Sequence, residues 1–316
     1  MRIITDEEVR SVLNLKDAIG CLEEALRQYS TGQARNLPRY TIESATGIYR
    51  VMSASIPRMN VVGSKQGFWV SEHRAEKIKV MSSEIISLYD FTSGEILALI
   101  TSHYLNQIRT GAIGAISIKH MSNADASTLG IIGAGLHART QLIAACLVRN
   151  IDLIKVYSRN PANREQFCRD ISRELGVKIM AAATPEEAVE KSDIVIEATT
   201  SRLPVFDGTK LAEGSHVVSI ASGYRGARQL DDEAIKRFSV IAVDSKEQVK
   251  VDGTGDILDP ISKGIIDWSK VVELGDILTS KAPGRVDRAQ ITYFKSCGMA
   301  LFDIAVGKMV LDRLSG

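Results

Sequence analysis

The 316-residue chain has little of several residue types, and each shortage excludes a class of protein. Its four cysteines are scattered without a CxxC pair, so neither a zinc site nor a disulfide framework is predicted, and we expect small buried side chains instead. The five histidines show no metal-ligand spacing, so we expect packing or surface roles and no metal. Lysine and arginine number 39 against 38 aspartates and glutamates, and this balance argues against nucleic acid as a partner.

Long apolar runs are also absent. No stretch reaches the roughly 18 apolar residues of a membrane span, and the first residues lack the apolar core of a secretory signal. The sequence therefore predicts a cytoplasmic protein without a membrane partner. At this length we expect two domains of about 150 residues each. The absence of a proline-rich linker indicates that they are closely joined.

The first third of the chain combines a helical pattern with short strand-like runs. Apolar residues at helical spacing predict one or two helices within residues 6–32, with Gly32 as the terminator. The pattern from Tyr40 to Ile100 predicts a mostly antiparallel sheet, including a hairpin that turns at Gly94. The segment "YLNQIRTGAIGAISIKHM" then predicts a helix with a small-residue face.

From residue 127 onward, apolar strands alternate with amphipathic helices. This alternation is typical of a doubly wound parallel sheet. We expect Asp231 and Asp232 to cap a helix, "VDGTGDILDP" to form a polar loop, and residues 292–314 to form a long helix that returns to the first domain. The predicted fold class is α/β. A Rossmann-type domain covers residues 114–292, and a discontinuous α+β domain combines residues 1–113 with 293–316.

A glycine turn opens the alternating region. The segment "GIIGAGLHAR" places Gly133 and Gly135 between an apolar strand and a helix, with Ala138 at the third position of a GxGxxG-type pattern. Glycine lets a pyrophosphate approach the backbone, and free N–H groups at a helix N-terminus favour its charge. The pattern predicts a dinucleotide site that also includes Ala134, with His137 placed to touch the cofactor.

The end of the second strand indicates which dinucleotide is preferred. A carboxylate there would bind the ribose 2′-hydroxyl of NAD(H), whereas an arginine accommodates the 2′-phosphate of NADP(H). The strand in "IKVYSRN" ends in a serine and an arginine, with no carboxylate at this corner. We therefore predict NADP(H) as the preferred cofactor, with NAD(H) as the alternative. The remaining predicted cofactor contacts are Ser158, Arg159, Asn160, Arg164, Thr199 and Thr200.

Six further segments carry a family resemblance: "LNQIRTGA", "SRLPVFDG", "GSHVVSIAS", "ARQLDD", "VDSKEQ" and "ITYFKSCGMALFD". With the glycine turn, the chain from about Leu37 to Ala305 resembles the ornithine cyclodeaminase and mu-crystallin family, which includes cyclodeaminases, alanine dehydrogenase-like enzymes and ketimine reductases. The resemblance implies a homodimer whose first domain mediates dimerisation. It also implies that basic side chains of that domain hold the substrate carboxylate facing the nicotinamide.

The basic residues at the matching positions are Arg39 in "NLPRY", Lys65 in "GSKQG" and Arg109 in "NQIRTGA". Arginine presents a rigid fork to a carboxylate, and lysine is a compact charge that can donate a proton. The resemblance therefore implies all three as substrate-binding residues and Lys65 as the catalytic residue.

One position departs from the cyclodeaminase pattern. That branch places an aspartate in the turn after the strand that matches "HVVSI", and Gly223 stands there in this chain, among the predicted substrate-binding residues. Oxidation of an α-ammonium followed by ring closure then lacks its obvious general base. Mu-crystallin-like reductases also lack this aspartate.

The sequence therefore predicts an NADPH-dependent reductase of a small imino acid. The substrate is either a cyclic ketimine, such as a pyrroline or piperideine carboxylate, or an imine formed from a 2-oxo acid and an amine. Three alternatives stay open: an ornithine or lysine cyclodeaminase, an alanine- or opine-type amino acid dehydrogenase, and a non-catalytic NADP-dependent binding protein.

Overall fold

The computed structural model describes residues 1–70, 82–220 and 225–316. Within these residues no helix is long and apolar enough to cross a membrane. The chain divides into two compact units, which we call unit 1 (Met1–Arg109 and Gly298–Gly316) and unit 2 (Thr110–Cys297). The boundaries predicted from the sequence, at 113/114 and 292/293, differ from these by a few residues.

The secondary-structure elements are numbered in chain order. The strands are β1 (Arg2–Ile4), β2 (Arg35–Ser44), β3 (Gly47–Ile56), β4 (Val61–Val70), β5 (Ser82–Asp90), β6 (Ile96–Thr101), β7 (Thr128–Ile132), β8 (Leu153–Tyr157), β9 (Lys178–Ala181), β10 (Ile194–Glu197), β11 (His216–Ser219), β12 (Phe238–Val243), β13 (Val271–Glu273) and β14 (Ile291–Lys295). The α-helices are α1 (Asp6–Val12), α2 (Leu15–Ser30), α3 (His103–Met121), α4 (Leu136–Val148), α5 (Pro161–Leu175), α6 (Pro185–Val189), α7 (Asp232–Arg237), α8 (Lys246–Asp252), α9 (Gly255–Ser262), α10 (Leu274–Leu278) and α11 (Ala300–Ser315).

Unit 1 contains a six-stranded sheet in the order β1-β6-β5-β4-β3-β2. Strands β2 to β6 pair antiparallel with their neighbours, and β1 joins the edge parallel to β6. Gly94 turns the β5–β6 hairpin with a φ of 75°, and Gly32 follows α2 with the same φ. Both φ values lie in the region that glycine adopts without strain, and both predicted turns are confirmed.

Unit 2 contains an eight-stranded, fully parallel sheet in the order β13-β12-β14-β11-β10-β7-β8-β9. The chain runs outward from β7 through β8 to β9 and then returns to place β10 on the other side of β7. This reversal of direction is the switch point at which doubly wound sheets bind ligands beyond the carboxyl ends of their strands. The predicted Rossmann-type α/β architecture is confirmed.

The predicted helix over residues 292–314 is wrong in its first part. Ile291–Lys295 is the interior strand β14, entirely buried between β11 and β12, and the helix begins only at Ala300. A short apolar run that is covered on both faces has no strand-like alternation, so its periodicity did not distinguish a strand from a helix. Gly298, with a φ of 80°, lies between the two elements.

The predicted polar loop "VDGTGDILDP" is also wrong. It comprises the end of α8, a turn at Gly253 with a φ of 65°, and most of α9. Ile257 and Asp256 of α9 are fully buried, so the apolar contacts of this segment determine its structure more than its polar composition does.

Two smaller predictions have mixed outcomes. Asp231 is the N-cap of α7 and accepts a hydrogen bond from the Ala234 N–H, which confirms its capping role. Asp232 instead occupies the first turn and forms an ion pair with Lys263 at 3.2 Å. The four cysteines are only partly buried, contrary to expectation.

Candidate active site

The glycine turn of unit 2 has a backbone shape that only glycine fits. Gly133 follows β7 with a φ of 123°, and its N–H donates a hydrogen bond to the Tyr157 carbonyl at 2.8 Å. A Cβ at this position would lie 2.3 Å from the carbonyl oxygen of Ala198, which is too close for any side chain. The close approach of Gly133 to the residue after β10 thus brings the ends of β7 and β10 together.

Helix α4 begins directly after this turn. Gly135 is its N-cap, and a Cβ there would meet no atom within 4 Å. Ala138 is fully buried, as close packing between helix and strand requires. The open space above Gly135 and the N–H groups of the first helical turn provide a cradle that fits the pyrophosphate of a dinucleotide.

A cleft of about 1020 Å³ opens over this cradle. Eight of the predicted cofactor residues line it: Gly133, Ala134, Gly135, Ser158, Arg159, Asn160, Thr199 and Thr200. Among the described residues no aspartate or glutamate lines this cleft. Arg159 is exposed and forms no hydrogen bond or ion pair with the described part of the chain.

Three predicted cofactor residues do not line the cleft, namely His137, Ala138 and Arg164. Arg164 Nη1 donates a hydrogen bond to the Ser158 carbonyl at 3.2 Å, and its guanidinium lies 5.7 Å from the Tyr157 ring centre. Arg164 therefore stabilises the backbone at the end of β8 without lining the cleft.

Lys65 of unit 1 belongs to a buried cluster of charged side chains. It lies on β4, only 3% exposed, and its Nζ forms ion pairs with Glu84 Oε2 on β5 at 2.7 Å and with Asp303 Oδ1 on α11 at 3.3 Å. The same Nζ donates a hydrogen bond to Asn106 Oδ1 on α3 at 2.8 Å. A buried ammonium requires such partners because its transfer from water is otherwise prohibitively costly.

Arg109 shares two of these partners with Lys65. Its Nε lies 3.2 Å from Asp303 Oδ1, and its Nη2 donates a hydrogen bond to Asn106 one helical turn earlier. Asp303 is fully buried in the first turn of α11, where the helix dipole favours a carboxylate. Asp303 Oδ2 has no hydrogen-bond partner among the described residues. Asp303 thus forms ion pairs with two cations of the cluster, Lys65 and Arg109.

Arg39 approaches the same cluster from the edge strand β2. The register between β2 and β3 shifts from Leu37 to Tyr40, so Arg39 lies in an irregularity of the kind that redirects a side chain. A Cβ added at Gly298 would lie 3.7 Å from Arg39 Nη2 and 3.4 Å from Arg109 Nη1, so the two guanidinium groups flank this glycine. The structure therefore brings together the three predicted basic residues of unit 1.

Gly223, the remaining predicted site residue, lies outside the described residues, as does His73. Among the other histidines, His216 is fully buried between the hydroxyls of Ser117 and Thr292, at 3.2 and 2.9 Å. Burial lowers its pKa to about 3, so the ring is neutral and serves packing.

Glu84, Asn106 and Asp303 were not predicted from the sequence. The sequence does distinguish Asp303, because it is the one charged residue in the apolar segment "MALFDIAVG". An acidic residue within such a segment is buried only if it is paired, so its presence predicts a buried basic partner elsewhere in the chain.

Comparisons with known proteins identify the family of the chain. The family model described as "Ornithine cyclodeaminase/mu-crystallin family" matches residues 1–316. A Delta(1)-pyrroline-2-carboxylate reductase of Bacillus cereus is 31% identical over 319 residues, covering 99% of this chain and 96% of that protein.

Two solved structures are also similar. The Delta(1)-pyrroline-2-carboxylate reductase of Thermococcus litoralis, in complex with NADH and L-proline, has a TM-score of 0.93 and 33% identity, covering 100% of this chain and 98% of that chain. An archaeal alanine dehydrogenase dimer with bound NAD has a TM-score of 0.92 and 30% identity, covering 100% and 96%. With the glycine cradle, the cation cluster and a match over its whole length, the chain belongs to the ornithine cyclodeaminase/mu-crystallin family, as an enzyme that uses a nicotinamide dinucleotide.

Proposed function

We propose that this chain is an NADPH-dependent reductase of a small imino acid. The substrate is a cyclic ketimine such as a pyrroline or piperideine carboxylate, or an imine formed from a 2-oxo acid and an amine. The observation that carries the proposal is the buried cluster in which Lys65 and Arg109 share Asp303. The similarity to pyrroline-2-carboxylate reductases from two organisms supports it.

The guanidinium groups of Arg109 and Arg39 bind the substrate carboxylate. Arg109 is held by Asp303 through Nε and by Asn106 through Nη2, so its orientation is fixed before substrate arrives. A pre-oriented fork loses less side-chain entropy on binding than a mobile one. The carboxylate in turn orients the carbon–nitrogen double bond of the substrate.

Lys65 supplies the proton. A bound NADPH provides the hydride that adds to the imine carbon. As the electron pair of the C=N bond moves to nitrogen, that nitrogen takes a proton from Lys65 Nζ, and the product is a saturated amino acid. Glu84 and Asp303 hold the Lys65 ammonium in place through their ion pairs, and solvent restores the proton afterwards.

The test is NADPH oxidation with a panel of cyclic imino acids and of 2-oxo acids mixed with amines. Ornithine and alanine, each with NAD and NADP, are assayed beside them. Rapid oxidation with one cyclic imine is expected. Ammonia release from ornithine, or alanine oxidation, without turnover of any imine would refute the proposal, as would tight NADPH binding without any turnover.

We also propose Arg159 as the residue that selects NADPH. Loss of one charge-assisted hydrogen bond costs roughly 1.5–3 kcal/mol, so Arg159→Ala is expected to raise the KM for NADPH about 10- to 100-fold and to leave the KM for NADH unchanged. The matched control is Arg169→Ala, an exposed arginine of α5 that does not line the cleft. An equal change for both cofactors would contradict the assignment.

We propose in addition that the enzyme works as a homodimer. The archaeal alanine dehydrogenase, whose fold is similar over the whole of this chain, is a dimer. Sedimentation equilibrium is expected to give twice the 34.5 kDa mass of the chain.

A further inference from the structure

Three neighbouring strands of unit 2 end in polar side chains that the proposed reaction does not use. They are Glu197 at the end of β10, Ser219 at the end of β11 and Lys295 at the end of β14, which we call the buried row. Glu197 is in register with Ser219, and Ser219 with Lys295. The first two are fully buried and Lys295 is 3% exposed. The free-energy cost of removing these polar groups from water has to be offset by hydrogen bonds within the protein.

The buried row is a continuous hydrogen-bonded chain. Lys295 Nζ donates to Ser219 Oγ at 2.9 Å, and Ser219 Oγ donates to Glu197 Oε2 at 2.8 Å. Lys295 Nζ also forms an ion pair with Asp256 Oδ2 on α9 at 3.0 Å. Asp256 is therefore a second anionic neighbour of this lysine.

Glu197 and Gln229 connect the row to the wall of the cleft. Glu197 Oε1 accepts a hydrogen bond from the Thr199 N–H at 3.1 Å. Gln229 Nε2 donates to the carbonyls of Thr199 and Ser201, at 3.1 and 2.8 Å. The backbone of residues 199–201, which line the cleft, is thus hydrogen-bonded to two fully buried side chains. Its N–H group at Thr199 donates to Glu197, and its carbonyls at Thr199 and Ser201 accept from Gln229.

Asp256 fixes Gln229 in turn. Asp256 Oδ1 accepts a hydrogen bond from the Gln229 N–H at 2.7 Å, and Lys295 Nζ reaches Gln229 Oε1 at 3.5 Å. The polar groups beneath residues 199–201 therefore form one network with a defined order of donors and acceptors.

We infer that Glu197 is a positioning residue for the dinucleotide, which holds residues 199–201 in their binding conformation through its ionised carboxylate. In the ionised form one oxygen accepts from the backbone and the other from Ser219. A protonated carboxyl has to donate one hydrogen bond, so the Ser219 hydroxyl, which now donates to Oε2, would have to turn and accept instead. The inference depends on a dinucleotide cofactor and is independent of the imino acid substrate.

Acidic conditions should therefore weaken cofactor binding. Burial raises the pKa of Glu197 to about 7, against the lowering effects of Lys295, Ser219 and Thr199. The titratable groups around Glu197 are Lys295 and Tyr293 on β14 and Asp256 on α9. As the pH falls through neutrality the carboxylate takes up a proton, the hydrogen bond with Ser219 has to reverse, and the bond that Oε1 accepts from the Thr199 N–H loses its charge assistance and weakens.

The experiment measures the Kd of NADH and of NADPH by calorimetry on either side of neutral pH. Glu197→Gln is expected to raise both Kd values about tenfold at alkaline pH, and to remove the pH dependence of the Kd for NADH that the unmodified chain shows. NADH is the decisive ligand because it has no 2′-phosphate that titrates. The matched control is Glu213→Gln, an exposed glutamate before β11, which should change neither value.

A second variant separates positioning from folding. Ser219→Ala keeps every charge and removes only the hydroxyl that links Lys295 to Glu197. A smaller rise in both Kd values is therefore expected, even if Glu197→Gln does not fold. A lower unfolding temperature with unchanged Kd values in these variants would mean that the buried row serves folding alone, and would overturn the inference. Activity of either variant on the substrate panel plays no part in this test.

Discussion

Replacing Lys65 with alanine is expected to lower kcat by about 10²–10⁴, the range that a positioned general acid contributes. The substitution removes the proton donor and leaves Glu84 and Asp303 without their shared ammonium. Cofactor affinity should remain unchanged, because the residues that line the cleft all belong to unit 2. Steady-state turnover and calorimetric titration with NADPH measure the two effects separately.

Lys65→Arg distinguishes loss of the proton donor from loss of charge. Arginine keeps a cation between Glu84 and Asp303, but its guanidinium stays protonated and is a poor proton donor. We expect Lys65→Arg to fold as stably as the unmodified chain and still to lose at least about 100-fold in kcat. Lys16→Ala, an exposed lysine of α2 in the same unit, is the control. Near-normal turnover of Lys65→Arg would show that the lysine contributes only charge.

Gly133→Ala and Gly135→Ala are expected to separate folding from cofactor binding. A Cβ on Gly133 meets the Ala198 carbonyl at 2.3 Å in a backbone with a φ of 123°, so the ends of β7 and β10 have to move apart. Backbone strain alone costs on the order of 1–3 kcal/mol, and the clash adds to it. Gly133→Ala should therefore lower both the free energy of unfolding and the affinity for NADPH.

Gly135 offers the matched comparison because its added Cβ meets no protein atom within 4 Å. Gly135→Ala should unfold like the unmodified chain, yet bind NADPH at least about tenfold more weakly, since the Cβ occupies space next to the pyrophosphate cradle. Denaturant unfolding and calorimetric titration of both variants test this prediction. Unchanged NADPH affinity in Gly135→Ala would remove the glycine cradle from the cofactor site.

Much of the fold was predictable because its signals are local. The hairpin turn at Gly94, the end of α2 at Gly32 and the strand–turn–helix at Gly133 each depend on neighbours in the sequence. The error at Ile291–Lys295 has a different origin. This segment is a strand because it pairs with β11 and β12, and a short apolar run does not indicate that such partners exist.

The candidate site was predictable only in part, for a similar reason. Lys65, Arg109 and Arg39 follow from the family resemblance, but the carboxylates that hold them do not. Lys65 and Asp303 are 238 residues apart in the chain and meet only because α11 packs against the sheet of unit 1. Partners at such a separation are determined by tertiary structure and leave no spacing to detect.

The order of the two units along the chain affects how the protein is made. A ribosome completes β1 to β6, then the whole of Thr110–Cys297, and only then α11. At about 5–20 residues per second, on the order of ten seconds or more separate the sheet of unit 1 from the helix that covers it. In that interval the side chains of Ile86, Leu88 and Ile100, which lie next to Gly307 of α11 in the folded protein, lack the cover of this helix. Until α11 covers it, this apolar surface of the nascent chain is expected to favour aggregation or chaperone binding.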